Sequence, residues 1–538
     1  MRPFVVILAV LVLMASVSAI AEQPHDAQRG SLEAEIARLV AEEEAELGRF
    51  YAARDYRPAW EERQQVAAFA EALQTLESDG LDPSDYGANR LVAERRVLHE
   101  SDAALAEQAR FDLQTSALLL TALRHLQRGR LDPHAVDPRW EIPVEPARLD
   151  LEAISRAVDG QRFGQAFGEA RPASAPYERL RSALVRYRNI ERMGGWPSLP
   201  DQPRVLRSED VDDAVGLLRE RLAMEGELEV MAADPSTFPR AELETPDLRR
   251  FDASLEAAVM RFQRRHLLET DGIVGPQTRA ALNVPVATRI DQIRLNLERA
   301  RWLLHGLPEA FVLVDIAGYR LIYFRPNGEI WRSRIVVGQP YRRTPSLRSE
   351  ITHMTVNPTW TVPPTILRED VLPAIRRDLG YLQRQNMRVL SPSGQPLDPN
   401  QIDWWNPGNV MIRQEPGPDN ALGQVVIRFP NDHLVYLHDT PAQGLFAREQ
   451  RAFSSGCIRV QGVLEFAQLL LDDTGSDDSV QALTASGQTR HVPLARRMPV
   501  ILHYWTVHPG EDGQLVFRPD IYERDDALLR ALNRPLAL

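Results

Sequence analysis

The sequence predicts a multidomain α+β protein: a helical N-terminal scaffold, a three-helix module, and a mainly antiparallel, sandwich-like β domain with a helical and loop insertion. Apolar residues recur at helical intervals from residue 31 to about 200, whereas beyond residue 309 the period drops to two. At 538 residues the chain is also too long for one core.

Taken in order, Arg2 precedes an apolar run from Phe4 to Leu13 and small residues ending in Ala19-Ile20-Ala21. That is the pattern of a signal peptide over 1–21, cut before Glu22, with a retained anchor as the alternative. Residues 22–200 read as packed helices broken at Leu81-Asp82-Pro83 and Leu131-Asp132-Pro133. A proline-containing stretch from Pro197 to Pro203 marks a boundary. The module at 205–285 follows, with Val259, Phe262, His266 and Leu267 on one helical face and turns at Gly272 and Gly275. The interval between Leu222 and Leu255 reads as an insertion into it. A connecting helix spans 286–308. The β domain, 309–508, opens with two strands around a two-residue Ala317-Gly318 turn and a third after Pro326-Asn327-Gly328. Further strands are expected at Val425–Phe429, Leu434–His438 and Val500–Trp505. Residues 365–422 interrupt it with helical spacing at Leu367, Val371, Leu372, Ile375 and Leu379. A C-terminal segment, 509–538, completes the chain.

Composition removes several function classes. A net charge of −12 argues against nucleic acid or anionic lipid as partner. All 63 basic residues are arginine, which excludes lysine Schiff bases, Ser-Lys dyads and phosphate-loop lysines. A single cysteine forbids intrachain disulfides and multi-cysteine zinc sites. No cofactor is expected.

That cysteine, Cys457, lies in Ser454-Ser455-Gly456-Cys457-Ile458-Arg459-Val460, shortly after Tyr436-Leu437-His438-Asp439-Thr440. A thiol near a histidine reads as nucleophile and base, and a neighbouring glycine lets a carbonyl approach the backbone. On chemistry alone a small buried core thiol is the competing account.

The pattern H-[DG]-T followed by S-[SH]-G-C-[IV]-R-V resembles the signature of the YkuD-type L,D-transpeptidases, which cross-link peptidoglycan. Val356-Asn357-Pro358-Thr359-Trp360-Thr361-Val362-Pro363-Pro364 and Phe517-Arg518-Pro519-Asp520-Ile521-Tyr522 resemble the large multidomain Gram-negative branch. The wording Phe262-Gln263 with Asp271-Gly272-Ile273-Val274-Gly275 resembles a peptidoglycan-binding module, in which Phe262 and Gln263 are expected to define the fold rather than touch ligand.

The resemblance implies a periplasmic, wall-associated enzyme whose partners are peptidoglycan stem peptides and glycan. Cys457 would attack a tetrapeptide stem, His438 would shuttle the proton, and the Asp439 main-chain carbonyl would orient His438. Backbone around Gly456 would stabilise the oxyanion, and transfer from the thioester to a second stem would give a 3→3 cross-link. Arg459, Ser455, Ser454, Tyr436 and Trp360 are substrate-binding candidates, with salt-bridge, turn or packing roles as alternatives. Many relatives carry glycine at the Asp439 position and histidine at Ser455. The insertion resembles a lid.

Three other readings stay open. The same site using water would make a carboxypeptidase or cross-link hydrolase. A wall-binding scaffold with an inactive catalytic fold is the second. A metallohydrolase built on His353, His433, His438 and Asp439 is the third, although His433 and His438 would face opposite ways on a regular strand.

Overall fold

The computed structural model describes residues 32–201, 204–228, 248–510 and 513–536. The signal-peptide segment, and much of the interval between Leu222 and Leu255, lie outside them. Among the described residues no helix is long and apolar enough to cross a membrane.

The N-terminal third is helical. Its central rod is α1 (Leu105–Arg128), whose buried face includes Phe111, Leu118, Leu119 and Leu126. The two Leu-Asp-Pro breaks have the same local structure. Asp82 accepts from the Ser84 N–H and Asp132 from the His134 N–H, each capping a short turn that opens with proline. Helix α2 (Ala175–Arg192) leads to the module, where α3 (Asp213–Glu225) and α4 (Ala253–Arg265) pack around Val215, Leu218, Val259 and Phe262.

Phe262 is fully buried, and both ends of the Gln263 amide are spent inside the module. Its nitrogen donates to Asp271, the Ile273 carbonyl and Thr278, and its oxygen accepts from Gly272 N–H. The module is docked rather than tethered. Tyr187 of α2 donates to buried Glu225, Arg265 donates to the Leu515 carbonyl, and His266 stacks between Phe262 and Phe517. Helix α5 (Val286–Leu303) then runs to the β domain.

Eight strands form the closed part of that domain's sheet: β1 (Phe311–Asp315), β2 (Arg320–Phe324), β3 (Ile330–Gly338), β4 (Ser346–Val356), β5 (Val425–Arg428), β6 (Leu437–His438), β7 (Ile458–Val460) and β8 (Arg490–His503); Trp140–Glu141 beside β4 and Ala452–Ser454 beside β3 bring the sheet to ten strands. Their order is β4-β8-β1-β2-β3-β7-β6-β5, and β5 pairs again with β4, so the sheet closes on itself. Pairing among these eight is antiparallel except for β6 with β7 and β8 with β1. The core beneath it joins Ile427, Leu437 and Ile458 to Phe466 and Leu470 of α6 (Val463–Thr474).

Two local expectations are corrected. The β1–β2 connection is four residues, Ile316 to Tyr319, not a two-residue turn. Buried Asp315 pairs with Arg518 and accepts from Gly318 N–H, which pulls the loop inward, and a Cβ on Gly318 would lie 2.3 Å from the Asp315 carboxylate. The expected strand from Leu434 shrinks to Leu437–His438, because Leu434 takes φ 55° and Asn431 holds the preceding loop through Phe429 and Val435.

The insertion is a small domain with its own core. Strands Trp360–Thr361, Met387–Leu390 and Met411–Gln414 form a three-stranded sheet packed on helical turns around Val371, Ile375 and Leu382. The C-terminal segment is no appendage. Tyr522 donates to the Gly338 carbonyl and accepts from Thr344 N–H, bracing the loop after β3.

Candidate active site

Register brings the sequence motif together. Strands β6 and β7 run parallel with Leu437 opposite Ile458 and His438 opposite Arg459, and the Ile458 N–H donates to the Tyr436 carbonyl across 3.0 Å. One step back along both strands, Tyr436 and Cys457 therefore face each other. Because side chains alternate, Tyr436, His438, Cys457 and Arg459 share the sheet face turned away from the core that holds Leu437 and Ile458.

His438 is buried, 4% exposed, and its Nδ1 lies 2.5 Å from the Asp439 carbonyl oxygen. A carbonyl only accepts, so Nδ1 carries the proton of the neutral ring and Nε2 keeps the lone pair. Burial drives the imidazole pKa down to about 3, and Arg459 pushes the same way against the carbonyl's opposing pull. The Asp439 carboxylate points elsewhere, accepting from Gln424 N–H at 3.0 Å, beside Gly423 at φ 61°, where any Cβ would collide with Asp439.

The Cys457 thiol is half-buried and 4.0 Å from the Leu434 carbonyl oxygen. Burial raises its pKa above the ordinary thiol range. Hydrogen bonds from the Tyr436 backbone and side chain, then the charges of Arg428 and Arg459, pull it back only in part. Arg459 thus acts in the expected direction but is outweighed. Both partners rest neutral, and the proton must move as the sulfur attacks.

The loop before the thiol is held from three sides. Ser454 Oγ donates to the Cys457 carbonyl at 2.5 Å and accepts from Gly456 N–H at 3.1 Å, which is a turn-holding arrangement. Gly456 sits at φ 114°, and its carbonyl accepts from Thr344 Oγ at 2.9 Å. With its N–H already given to Ser454, Gly456 is a poorer oxyanion donor than expected. Ser455 Oγ receives a hydrogen bond from Arg342 at 2.7 Å, and Arg342 also pairs with Asp370 at 2.9 Å and Glu369 at 2.5 Å. Those two acids belong to the helical start of the insertion, so one guanidinium ties it to the thiol loop.

Tyr436 packs edge-on against His438, with ring centroids 5.5 Å apart, and the Arg428 guanidinium stands 4.9 Å over the tyrosine ring. Trp360 is not part of this group: it pairs with Gln414 and packs into the insertion's core. His433 is paired with Glu141 at 2.6 Å, and His353 bonds Thr352. Among the described residues no cluster of three His, Cys, Asp or Glu side chains is placed to hold a metal ion. A cavity of about 720 Å³ lined by Asn357, Gln424, Gln468 and Thr484 lies beside α6, away from the thiol. Arg342, Thr344, Arg428 and Tyr522 were not singled out from sequence. Strand alternation gives no hint of a partner on another strand.

Comparison with known proteins agrees with this geometry. A family model described as "Scaffold domain" matches residues 45–184, "Putative peptidoglycan binding domain" matches 213–282, and the YkuD "L,D-transpeptidase catalytic domain" matches 309–485. A curated Haemophilus influenzae protein named "Putative L,D-transpeptidase" is 38% identical over 218 residues, 40% of this chain and 44% of that protein. The match thus spans less than half of the relative. Two solved L,D-transpeptidases resemble the chain weakly. The Mycobacterium smegmatis enzyme is 14% identical, covering 36% of this chain and 58% of its own, with a TM-score of 0.18. The Xylanimonas cellulosilytica enzyme is 15% identical, covering 56% and 100%, also with a TM-score of 0.18.

Proposed function

We propose that the L,D-transpeptidase catalytic domain carried by this chain, joined to its peptidoglycan-binding domain, forms 3→3 cross-links in peptidoglycan through a Cys457 thioester. The observation that carries the reading is the register of β6 on β7. It sets His438, its Nδ1 proton given to the Asp439 carbonyl, on the same face as Cys457.

In this mechanism the Cys457 sulfur attacks the carbonyl of the third residue of a tetrapeptide stem while its proton passes to His438 Nε2. The tetrahedral intermediate expels the terminal D-alanine amine, which takes that proton, and an acyl-thioester remains. The side-chain amine of a second stem then attacks, giving its proton to His438 and regenerating the thiol. Cys457 N–H, beside the left-handed Gly456, is the donor offered to the oxyanion. Arg459, Tyr436 and Ser455 line the approach, and the insertion limits entry of water.

The proposed division is 22–200, 205–285, 286–308 and 309–508, with the last segment braced into the catalytic domain and 1–21 directing export to the periplasm. Muropeptide mass spectrometry tests the function. Full-length enzyme should release D-alanine and produce 3→3 dimers, and Cys457→Ala should produce neither. Undiminished dimers from Cys457→Ala would overturn the mechanism, and water-cleaved tripeptides without dimers would make the protein a carboxypeptidase.

A further inference from the structure

We propose that Arg428 and Arg459 form a paired cationic site beside the thiol that binds free carboxylates of the substrate, and that Arg428 selects carboxylate-bearing over amidated stems. The identity of the substrate rests on the reading above; the charge site itself does not.

The site follows from cross-strand register. Leu437 is opposite Ile427 on β5 and His438 opposite Val426, so Tyr436 lies opposite Arg428 as well as opposite Cys457. One row therefore runs Arg428, Tyr436, Cys457 across three strands, and the next runs Val426, His438, Arg459. Directly paired residues share a face, which puts both guanidiniums on the face of the thiol. Arg428 is fixed over the Tyr436 ring at 4.9 Å, and Arg459 is held one row along by its pairing with Val336 and His438.

Neither arginine is neutralised. Among the described residues no carboxylate lies within ion-pair distance of either one, although Arg299, Arg301, Arg325 and Arg518 all have acidic partners. The Arg459 Nε is buried without a hydrogen-bond partner, and burial lowers that side chain's pKa. A half-buried guanidinium with no counter-ion is costly, and an incoming anion offsets that cost. His353, opposite Arg428 on β4, adds no negative charge: burial and Arg428 keep its pKa below the ordinary value. In a chain of net charge −12, this face is locally basic. The planar fork of arginine matches a carboxylate, and the acidic remainder of the surface disfavours a polyanion.

Alkylation of Cys457 in the full chain reads this charge directly. Iodoacetate and iodoacetamide react identically: the thiolate sulfur forms a C–S bond and iodide leaves with the C–I electron pair. They differ in the charge of the reagent. The iodoacetate-to-iodoacetamide rate ratio should fall about fivefold in Arg428→Gln and in Arg459→Gln, with most of it restored in Arg428→Lys. In the wild type, without any substitution, the ratio should fall as salt rises from about 20 to about 500 mM. With stem tetrapeptides, Arg428→Gln should raise KM roughly tenfold for the free acid and leave KM for the amidated stem unchanged, the loss of its charge beside the thiol lowering kcat equally for both stems. A ratio insensitive to salt and to both glutamine variants would overturn the site. A ratio that responds in a protein making no cross-links would leave the site standing and remove the transpeptidase reading.

Discussion

His438 gives its Nδ1 proton to the main-chain carbonyl of Asp439 at 2.5 Å, a contact that lies outside the reach of any change in the Asp439 side chain. Asp439→Ala should therefore keep cross-linking activity within about threefold of wild type. It removes the acceptor of the Gln424 N–H and should cost about 1 kcal/mol of stability. Activity assay with thermal unfolding checks both. A loss comparable to that of His438→Ala would show that the carboxylate takes part in the chemistry.

Tyr436 lies opposite Cys457 across the parallel pair, and its hydroxyl, turned to the thiol, lowers the thiol pKa against the effect of burial. Tyr436→Phe removes that donor, so the thiol pKa should rise further and the midpoint of the pH–rate profile for iodoacetamide alkylation should shift upward. A downward shift would contradict a stabilising role of the Tyr436 hydroxyl.

Arg342 joins Ser455 to Glu369 and Asp370. Arg342→Gln, and separately Glu369→Gln with Asp370→Asn, should lower the ratio of cross-linking to hydrolysis several-fold while Cys457 stays reactive to iodoacetamide. An unchanged ratio in both would show that the insertion exerts no control through this contact.

Glu225 is buried beside Arg221, Arg265 and the Tyr187 hydroxyl, and against the upward push of burial the arginine charges hold its carboxyl well below the usual range. Glu225→Gln leaves buried Arg221 without its acidic partner, while Arg265 keeps Glu227, and should cost about 3 kcal/mol, seen as a lower unfolding midpoint. The isolated module should be less stable than the docked one, since cutting it out uncovers His266 and frees Arg265 from the Leu515 carbonyl.

Five histidines, three buried and two half-buried, are held neutral: burial lowers His438, His125 and His508 to about 3, His503 to about 4, and His266 well below 6.5. Below pH 6.5 the unfolded chain binds protons that the folded chain refuses, so stability should be full above that pH and fall on acidification from about 6.5 towards 4. The unfolding midpoint measured against pH checks this, and His266→Gln should flatten the curve.

The order of helices, module and strands was legible because periodicity and Gly/Pro punctuation are local signals, and the motif named Cys457 and His438, which cross-strand register sets on one face. What stayed hidden depends on contacts distant in sequence. The Ile316–Tyr319 loop is shaped by Arg518, the shortened strand before His438 by Asn431, and the fixation of Gly456 by Thr344 and Tyr522. Arg428 reads in sequence as the end of a strand, and only cross-strand register carries it to the thiol. Trp360 shows the converse: its neighbourhood in the motif suggested substrate, whereas it is committed to the insertion's core.

The closure of β5 onto β4 has a further consequence for how a peptide can be held. The strand bearing His438 and the strand that follows Cys457 have hydrogen-bonded neighbours on both sides, so the ring offers no open edge along either for a stem to join as an added strand. Recognition by strand addition, which is largely indifferent to side chains, is unavailable along β6 and β7. The stem must lie across the pleat and be read by its charges and its stereochemistry.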